Sequence, residues 1–454
     1  MRKSWLIGIA LAIVIGGAIW IEASRREPWT TDSPQALAEY LRGRQAAMKV
    51  YQADAAAAYE RALELDPSFV AAKLGLLESD RDKNERKRLL DELRGADRSR
   101  LTELENFLLD VVFARTDGDE ARRREVVEAY LAKHPRDPWA LHVASADAWA
   151  RQDWPSAEAR YRRLLEVDPN WLLARNHLGY IAMAQGRFRE AEDEFRTYRF
   201  AAPDQANPHD SLGELLVLLG RYDEARAELE EALRIRPDFC ASYFNLLRIA
   251  VLERRPEDVD PLVARIERHC DERTAAVARC DGTVAKAFLT GDDDAPWRET
   301  GEVCETRYQE PDVLLHILAL RSGRREEALA MEEKAKKRLA ELEGGFERAK
   351  TGYRVLVSFL EAERLFVEGR FEEAVPKLRE VDADSTWWEA EGRGTIKLVA
   401  RILLYRSLGA LGDRAGAEEA LARARAVNPD FAAWYSTFDP YLPRAGTAPA
   451  ATPR

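Results

Sequence analysis

Four prolines recur at one fixed interval in the middle of this chain. Pro135, Pro169, Pro203 and Pro237 follow one another at intervals of 34 residues. A fixed period of this length is typical of an array of similar supersecondary units, in which each unit packs only against its neighbours. The period therefore favours a repeat array over one globular core, and it predicts a long surface that a partner can contact.

The residues around each proline repeat in phase and predict two helices per unit. The position 17 residues before each proline holds Gly118, Gln152, Gly186 or Gly220. An aromatic residue, an alanine and a bulky residue then follow in three units, as Trp154, Ala157 and Tyr161, as Phe188, Ala191 and Phe195, and as Tyr222, Ala225 and Leu229. Glycine can adopt the left-handed backbone that ends the first helix, alanine lets the helices approach closely, and proline ends the second helix. Because the apolar residues also recur at helical spacing, we predict an all-α fold.

This pattern resembles the tetratricopeptide repeat (TPR) family, whose signature is W-x2-L-G-x2-Y, then A-x3-F, then P. The most complete unit is 206–239, which carries Leu212, Gly213, Leu216, Gly220, Tyr222, Ala225, Leu229, Ala232 and Pro237. Weaker units precede it from about residue 36, and three more follow around Gly323, Gly369 and Gly412. The resemblance covers most of residues 34–436 and implies a right-handed TPR superhelix, or α-solenoid, with a concave groove.

The N-terminal segment predicts a single transmembrane helix. Residues 5–21 carry no charged side chain, and this length is at the short end of a membrane-spanning helix. Trp5 and Trp20 stand near the two ends, where aromatic residues anchor at membrane interfaces. A cleaved signal peptide is the alternative, but its one small-residue site, Gly16–Gly17–Ala18, lies inside the apolar run. We therefore expect an uncleaved anchor over residues 5–21.

The anchor sets the expected localisation. Basic residues stand on both sides of the apolar run and nearly balance under the positive-inside rule. With residues 1–4 as a cytoplasmic stub, we expect a single-pass protein of the inner (cytoplasmic) membrane whose repeats lie in the periplasm. The other predicted segments are a linker at 22–33, an N-terminal TPR array at 34–239, degenerate helical repeats at 240–308, a C-terminal TPR array at 309–439 and a disordered tail at 440–454.

Composition and motifs argue against several classes of site. Charged residues make up 33% of the chain and the formal net charge is −11, which argues against nucleic acid as a partner. The sequence contains no Gly-rich phosphate loop, no G-x-S-x-G and no H-E-x-x-H. Closely spaced ligand pairs such as C-x2-C, which a zinc site requires, are missing as well. We therefore predict no enzyme activity, no cofactor and no metal site.

All four cysteines, Cys240, Cys270, Cys280 and Cys304, fall in the segment where the repeat signature is weakest. An even number of cysteines outside the cytoplasm favours disulfides. The short separation of Cys270 and Cys280 makes them the favoured pair, which would leave Cys240 for Cys304. Four semi-buried free thiols are the equally weighted alternative.

The resemblance also implies which side chains face the groove, because the first helix of each TPR unit lines it at positions 2, 5, 9 and 12. The predicted partner-binding residues are Trp139, His142, Trp149, Asn176, Tyr180, Met183, Asn207, Asp210, Phe244 and Arg248. Some TPR proteins hold a partner's C-terminal carboxylate with basic residues here, and that basic clamp is missing from this sequence. An aromatic and amide surface suits an extended or helical peptide. The alternative is that the aromatic rings only pack between adjacent units.

These observations favour a membrane-tethered TPR scaffold or adaptor that binds protein partners in its groove and helps to assemble an envelope complex. One alternative is a sensory or regulatory TPR solenoid that acts with a membrane kinase, cyclase or transcription regulator. A second, less favoured alternative is an uncharacterised enzyme within residues 240–308.

Overall fold

The computed structural model describes residues 29–79, 83–298, 312–342, 347–383 and 393–437. All regular secondary structure within these ranges is helical, which confirms the predicted all-α class. The predicted stub, anchor and tail lie outside the described residues. Within the described part of the chain, no helix combines the length and the apolar character needed to cross a membrane. The chain divides into two compact units, one ending at Lys133 and one beginning at His134.

The described helices of the first unit are α1 (Pro34–Met48), α2 (Gln52–Leu65), α3 (Val70–Leu77), α4 (Lys83–Arg94), α5 (Glu103–Thr116) and α6 (Glu120–Lys133). Two of these helices pack closely on the buried ring of Tyr59 in α2. A Cβ atom added at Gly43 of α1 would lie 2.5 Å from a Tyr59 ring carbon, and one at Gly75 of α3 would lie 2.7 Å from another. The two glycines therefore allow both helices to close on one buried ring.

The second unit contains the longer series of helices. Its first eight are α7 (Pro138–Ala150), α8 (Trp154–Val167), α9 (Leu173–Ala184), α10 (Phe188–Ala201), α11 (Ala206–Leu218), α12 (Tyr222–Ile235), α13 (Cys240–Leu252) and α14 (Val259–His269). These are followed by α15 (Glu272–Thr290), α16 (Ala295–Arg298), α17 (Val313–Arg321), α18 (Arg325–Glu341), α19 (Glu347–Val367), α20 (Phe371–Ala383), α21 (Arg393–Ala410), α22 (Arg414–Arg425) and α23 (Pro429–Thr437). Most helices pack against the next one in the chain, as expected for stacked helical hairpins.

The turn between the two helices of a repeat has the predicted left-handed backbone. Gly186 and Gly220 have φ of 72° and 74°, and Gln152, which replaces glycine once, has φ of 61°. Arg254, the residue 34 positions after Gly220, has φ of 62°. The backbone period therefore continues beyond residue 240, although the side-chain signature fades there.

A glycine of the first helix and a bulky residue of the second fix the distance between paired helices. A Cβ atom at Gly179 of α9 would lie 2.4 Å from a ring carbon of Phe195 in α10. A Cβ atom at Gly213 of α11 would lie 2.8 Å from Leu229 in α12. Glycine at this position thus permits the close helix approach that each repeat requires.

The predicted pairing of Cys270 with Cys280 is wrong, because Cys270 forms a disulfide with Cys240. Cys280 lies more than two helical turns inside α15, about 12 Å along its axis from the start of that helix. This exceeds the Cα separation that a disulfide spans, whereas the Cα atoms of Cys240 and Cys270 are 6.0 Å apart. Cys280 is disulfide-bonded as well, and Cys304 lies outside the described residues.

A buried ionic cluster joins α17, α18 and α19. His316 Nδ1 lies 2.6 Å from Glu363 Oε2, its Nε2 lies 3.5 Å from Glu332 Oε1, and Arg364 Nε donates to Glu332 Oε1 at 2.7 Å. His316 and Glu363 are fully buried. Burial alone lowers the pKa of His316, but the hydrogen bonds and negative charges of Glu332 and Glu363 outweigh it, so that the pKa is raised. The cluster therefore favours a charged histidine inside the fold.

Candidate partner-binding cavity

The second unit contains an open cavity of about 940 Å³. Its walls come from alternate helices, namely α9, α11, α13, α15, α17, α19, α21 and α23. This agrees with the prediction that the first helix of each repeat lines the concave face. The volume falls in the range of sites that bind small molecules or short segments of a partner.

Helix α23 reaches the cavity because the residue just before it is bonded to a much earlier repeat. Asn428, just before α23, is 1% exposed. Its Nδ2 donates to the carbonyl oxygen of Leu218 at 3.2 Å and to Tyr222 Oη at 3.0 Å. Its Oδ1 accepts from the backbone N–H of Phe431 at 3.0 Å. One side chain thus joins the C-terminus of α11 and the N-terminus of α12 to the first turn of α23.

Aromatic residues of α23 form one wall of the cavity. Phe431, Trp434 and Tyr435 all line it, and the rings of Phe431 and Tyr435 stack with centroids 5.1 Å apart. The Arg254 guanidinium carbon lies 4.9 Å from the centroid of the Trp434 ring, a cation–π contact that ties α23 to the turn after α13. This aromatic wall is therefore held in place by two contacts, the hydrogen bonds of Asn428 and the cation–π contact of Arg254.

In contrast to the apolar wall of α23, α11 lines the cavity with two acidic residues, Asp210 and Glu214, which lie one helical turn apart. They are 6% and 7% exposed. Tyr180 Oη donates to Glu214 Oε2 at 2.9 Å. Ser242 Oγ and Asn245 Nδ2 both donate to Asp210 Oδ1, at 2.7 Å and 3.3 Å. The cavity therefore has a polar end with two carboxylates in one wall.

The two carboxylates alter the ionisation of this polar end. Burial, and then the negative charge of Glu214, raise the pKa of Asp210 to about 7, against the hydrogen bonds from α13 and the charge of Arg248. The same burial and the two carboxylates raise the pKa of Tyr180 well above its ordinary value. Asp210 can consequently gain or lose a proton near neutral pH, while Tyr180 remains a hydrogen-bond donor.

Four of the ten predicted groove residues, Tyr180, Asp210, Phe244 and Arg248, line the cavity. The other six do not: Trp139, His142, Trp149, Asn176, Met183 and Asn207.

Three of those six residues lie on α7 and contact aromatic rings of the same or the next repeat. The rings of Trp139 and His142 are 5.2 Å and 5.3 Å from that of Trp171, and the ring of Trp149 is 5.4 Å from that of His177. These contacts match packing between units. A contact of these residues with a partner stays a prediction.

The other three are buried. Asn176, Met183 and Asn207 are on α9 and α11, and Asn207 Nδ2 donates to Tyr198 Oη at 3.3 Å. The helices that carry these three residues line the cavity through other side chains, namely Tyr180 of α9 and Asp210 and Glu214 of α11.

Sequence reasoning missed the lining residues of the later helices. Tyr353 of α19 and the three aromatic residues of α23 are examples. The signal for α23 was present, because positions 431, 434 and 435 have the i, i+3, i+4 spacing of one helical face. Which surface that face covers is a long-range property that the spacing does not contain.

Comparison with known proteins supports the repeat assignment. Two sequence models of the tetratricopeptide repeat match the chain, at residues 144–206 and 206–239. The human Cell division cycle protein 16 homolog is 26% identical over 118 residues, which are 24% of this chain and 19% of that protein. Cellulose synthase operon protein C of Xanthomonas axonopodis pv. citri is 30% identical over 154 residues, which are 32% of this chain and 10% of that protein. The match thus spans a fifth or less of either relative.

Among solved structures, a tetratricopeptide repeat protein from Parabacteroides merdae aligns with a TM-score of 0.38 and 12% identity. The alignment covers 67% of this chain and 98% of that one.

Proposed function

Because this chain is a tetratricopeptide repeat protein, we propose that it is a scaffold that binds a segment of a protein partner in the cavity of its second unit. The observation that carries the proposal is the cavity itself, which alternate helices line and to which α23 adds aromatic side chains. It combines an aromatic wall with a polar end, as a site for an amphipathic segment requires. The repeat fold alone does not assign a function, and the site is what supports this one.

We further propose that residues 5–21 tether this scaffold to a membrane and that the cavity lies outside the cytoplasm, where it serves the assembly of an envelope complex. The uncharged run of residues 5–21 supports the tether. The disulfide between Cys240 and Cys270 supports the compartment, because disulfides persist where the environment is oxidising. Deletion of residues 5–21 should move the protein from the membrane fraction to the soluble fraction. Recovery of the deleted form with the membranes would contradict the tether.

Site-specific photocrosslinking in native membranes tests the binding site. A photoreactive amino acid replaces Phe244, which lines the cavity on α13. In the control it replaces Phe200, an aromatic residue of α10 that is 87% exposed. We expect a discrete partner adduct at position 244, identified by mass spectrometry, and none at position 200. Adducts at position 200 alone would place the partner on the outer surface and reject the cavity as its site.

A further inference from the structure

We propose that Asp210 and Glu214 recognise a basic side chain, a lysine or arginine, on the partner segment whose apolar residues fill the rest of the cavity. This inference rests on the proposed function and names the chemistry of the partner. It reverses the charge of the basic clamp through which some TPR proteins hold a carboxylate.

The first argument is the cost of the carboxylate pair. Residues one turn apart on a helix are neighbours, and two like charges at that spacing destabilise the helix. Both side chains are also more than nine-tenths buried, where repulsion between charges is screened less than in water. Asp210 and Glu214 therefore repel each other when both are ionised, and a cation bound beside the two carboxylates would reduce that repulsion.

The second argument is a carboxylate oxygen of a cavity-lining residue that accepts no hydrogen bond in the described part of the chain. Both donors to Asp210, Ser242 and Asn245, contact the same oxygen, Oδ1. Among the described residues, no side chain or backbone group donates a hydrogen bond to Oδ2. Asp210 lines the cavity, and a carboxylate oxygen of this kind can accept a hydrogen bond from an ammonium or guanidinium group.

The third argument is charge complementarity. The charged residues in the described lining are the carboxylates Asp210, Glu214, Asp281 and Asp312 and the guanidinium of Arg248. Four carboxylates against one guanidinium favour a cation and disfavour a C-terminal carboxylate. The aromatic wall of α23 supplies the apolar contacts that a lysine or arginine stem and its neighbours require.

Binding of a cation should also release a proton. In the free protein Asp210 has a pKa of about 7, and the titratable or charged groups that face it are Glu214 on its own helix, Tyr180 on α9 and Arg248 on α13. About one tenth of the molecules carry ionised Asp210 at pH 6 and about nine tenths at pH 8. Affinity for a basic segment should therefore rise about tenfold between these two pH values.

The experiment uses the full chain in mild detergent and fluorescent nine-residue peptides with both ends blocked. The central position is lysine, arginine, glutamate or norleucine, and the other positions are equal mixtures of alanine, leucine, phenylalanine and serine. Norleucine matches the lysine stem without its charge. We expect the lysine and arginine pools to bind at least about tenfold more tightly than the norleucine pool, and the glutamate pool to bind most weakly.

Isosteric variants assign the preference to the pair. Asp210→Asn and Glu214→Gln retain side-chain oxygens that can accept from Ser242 and Tyr180. Each should lower affinity for the lysine pool about tenfold and leave affinity for the norleucine pool unchanged. The matched control is Asp223→Asn, a carboxylate on α12 with 99% side-chain exposure, which should change neither affinity.

Equal binding of the lysine and norleucine pools, or binding of none, would overturn the inference. So would a lysine preference that survives in the Asp210→Asn, Glu214→Gln double variant. If a partner adduct at position 244 persists alongside any of these results, the cavity binds a partner through other chemistry and the proposed function stands. If the adduct is missing too, both proposals fail.

Discussion

Replacing Asn428 with alanine should release α23 from α11 and α12. The side chain makes three buried hydrogen bonds, to the Leu218 carbonyl, the Tyr222 hydroxyl and the Phe431 amide. A typical intramolecular hydrogen bond contributes about 1 kcal/mol net, and a buried group left without its partner costs more. We expect the free energy that holds α23 in place to fall by about 3 kcal/mol.

Hydrogen exchange of the full chain, followed by mass spectrometry of peptides from α23, measures this loss directly. It needs no assumption of two-state unfolding, which a long repeat array need not satisfy. A loss of about 3 kcal/mol corresponds to roughly 100-fold faster exchange of the amides in α23. The control is Asn170→Ala, an exposed asparagine in the turn between α8 and α9, which should leave these rates unchanged.

The contact with Tyr222 can be isolated by a double-mutant cycle. Tyr222→Phe removes only the hydroxyl that accepts from Asn428. If that hydrogen bond exists, the two substitutions together should cost about 1 kcal/mol less than the sum of their separate effects. Unchanged exchange of α23 in Asn428→Ala, or strictly additive effects, would refute the role of this side chain in holding α23 against α11 and α12.

Three further predictions test the backbone, the buried ionic cluster and the disulfide. Gln152→Gly should raise the free energy of unfolding in urea by about 1 kcal/mol, because φ is 61° at this position and glycine, which has no Cβ atom, adopts this left-handed backbone without steric cost. The control is Gln185→Gly, at φ of −87°, which should not stabilise the protein. The pKa of His316 is raised above its ordinary value of 6.5 in the folded protein, so that protonation of this histidine stabilises the fold. This contribution is complete below pH 6.5 and is lost as the pH rises through the folded pKa. His316→Gln should therefore remove a decline in melting temperature above about pH 6.5. The double variant Cys240→Ser, Cys270→Ser should lower the free energy of unfolding by about 3 kcal/mol. Non-reducing peptide mapping of the unmodified protein should recover a peptide pair linked through Cys240 and Cys270, and a different pairing would contradict the structure.

The parts of the fold that could be predicted are those with a local cause. The left-handed turn depends on one backbone position, so the spacing located it at Gly220 and also where Gln152 replaces glycine. The contact of Gly213 with Leu229 depends on two helices joined by a short turn. Both follow from a signature of 34 residues, and both are present in the structure.

The parts that could not be predicted depend on distant segments. Asn428 and Leu218 are separated by 210 residues, and no local pattern distinguishes this asparagine from one in any turn. The same reasoning explains the disulfide error, because closeness in sequence placed Cys270 with Cys280 although the rigid helix α15 keeps them apart. Family positions identify the concave side of a helix. They do not state which repeats line a common cavity, which depends on the summed rotation of many repeats.

The contrast between stability and binding at Asp210 gives the last prediction. A carboxyl group whose folded pKa is raised destabilises the fold as pH rises from its ordinary value of 3.8 to the folded value of about 7. The difference between these two pKa values corresponds to about 4 kcal/mol of unfolding free energy. Because asparagine is itself polar and would be buried, we expect Asp210→Asn to raise the free energy of unfolding at pH 8 by only roughly 2 kcal/mol. Denaturant unfolding at pH 5 and pH 8 checks this, and the gain should be confined to the higher pH. The same substitution should weaken binding of the lysine pool about tenfold. Replacing a residue that serves folding lowers the stability of the protein, whereas replacing a residue that serves ligand binding can raise stability and weaken binding. A lower stability of Asp210→Asn at pH 8 would therefore contradict the proposed role of Asp210.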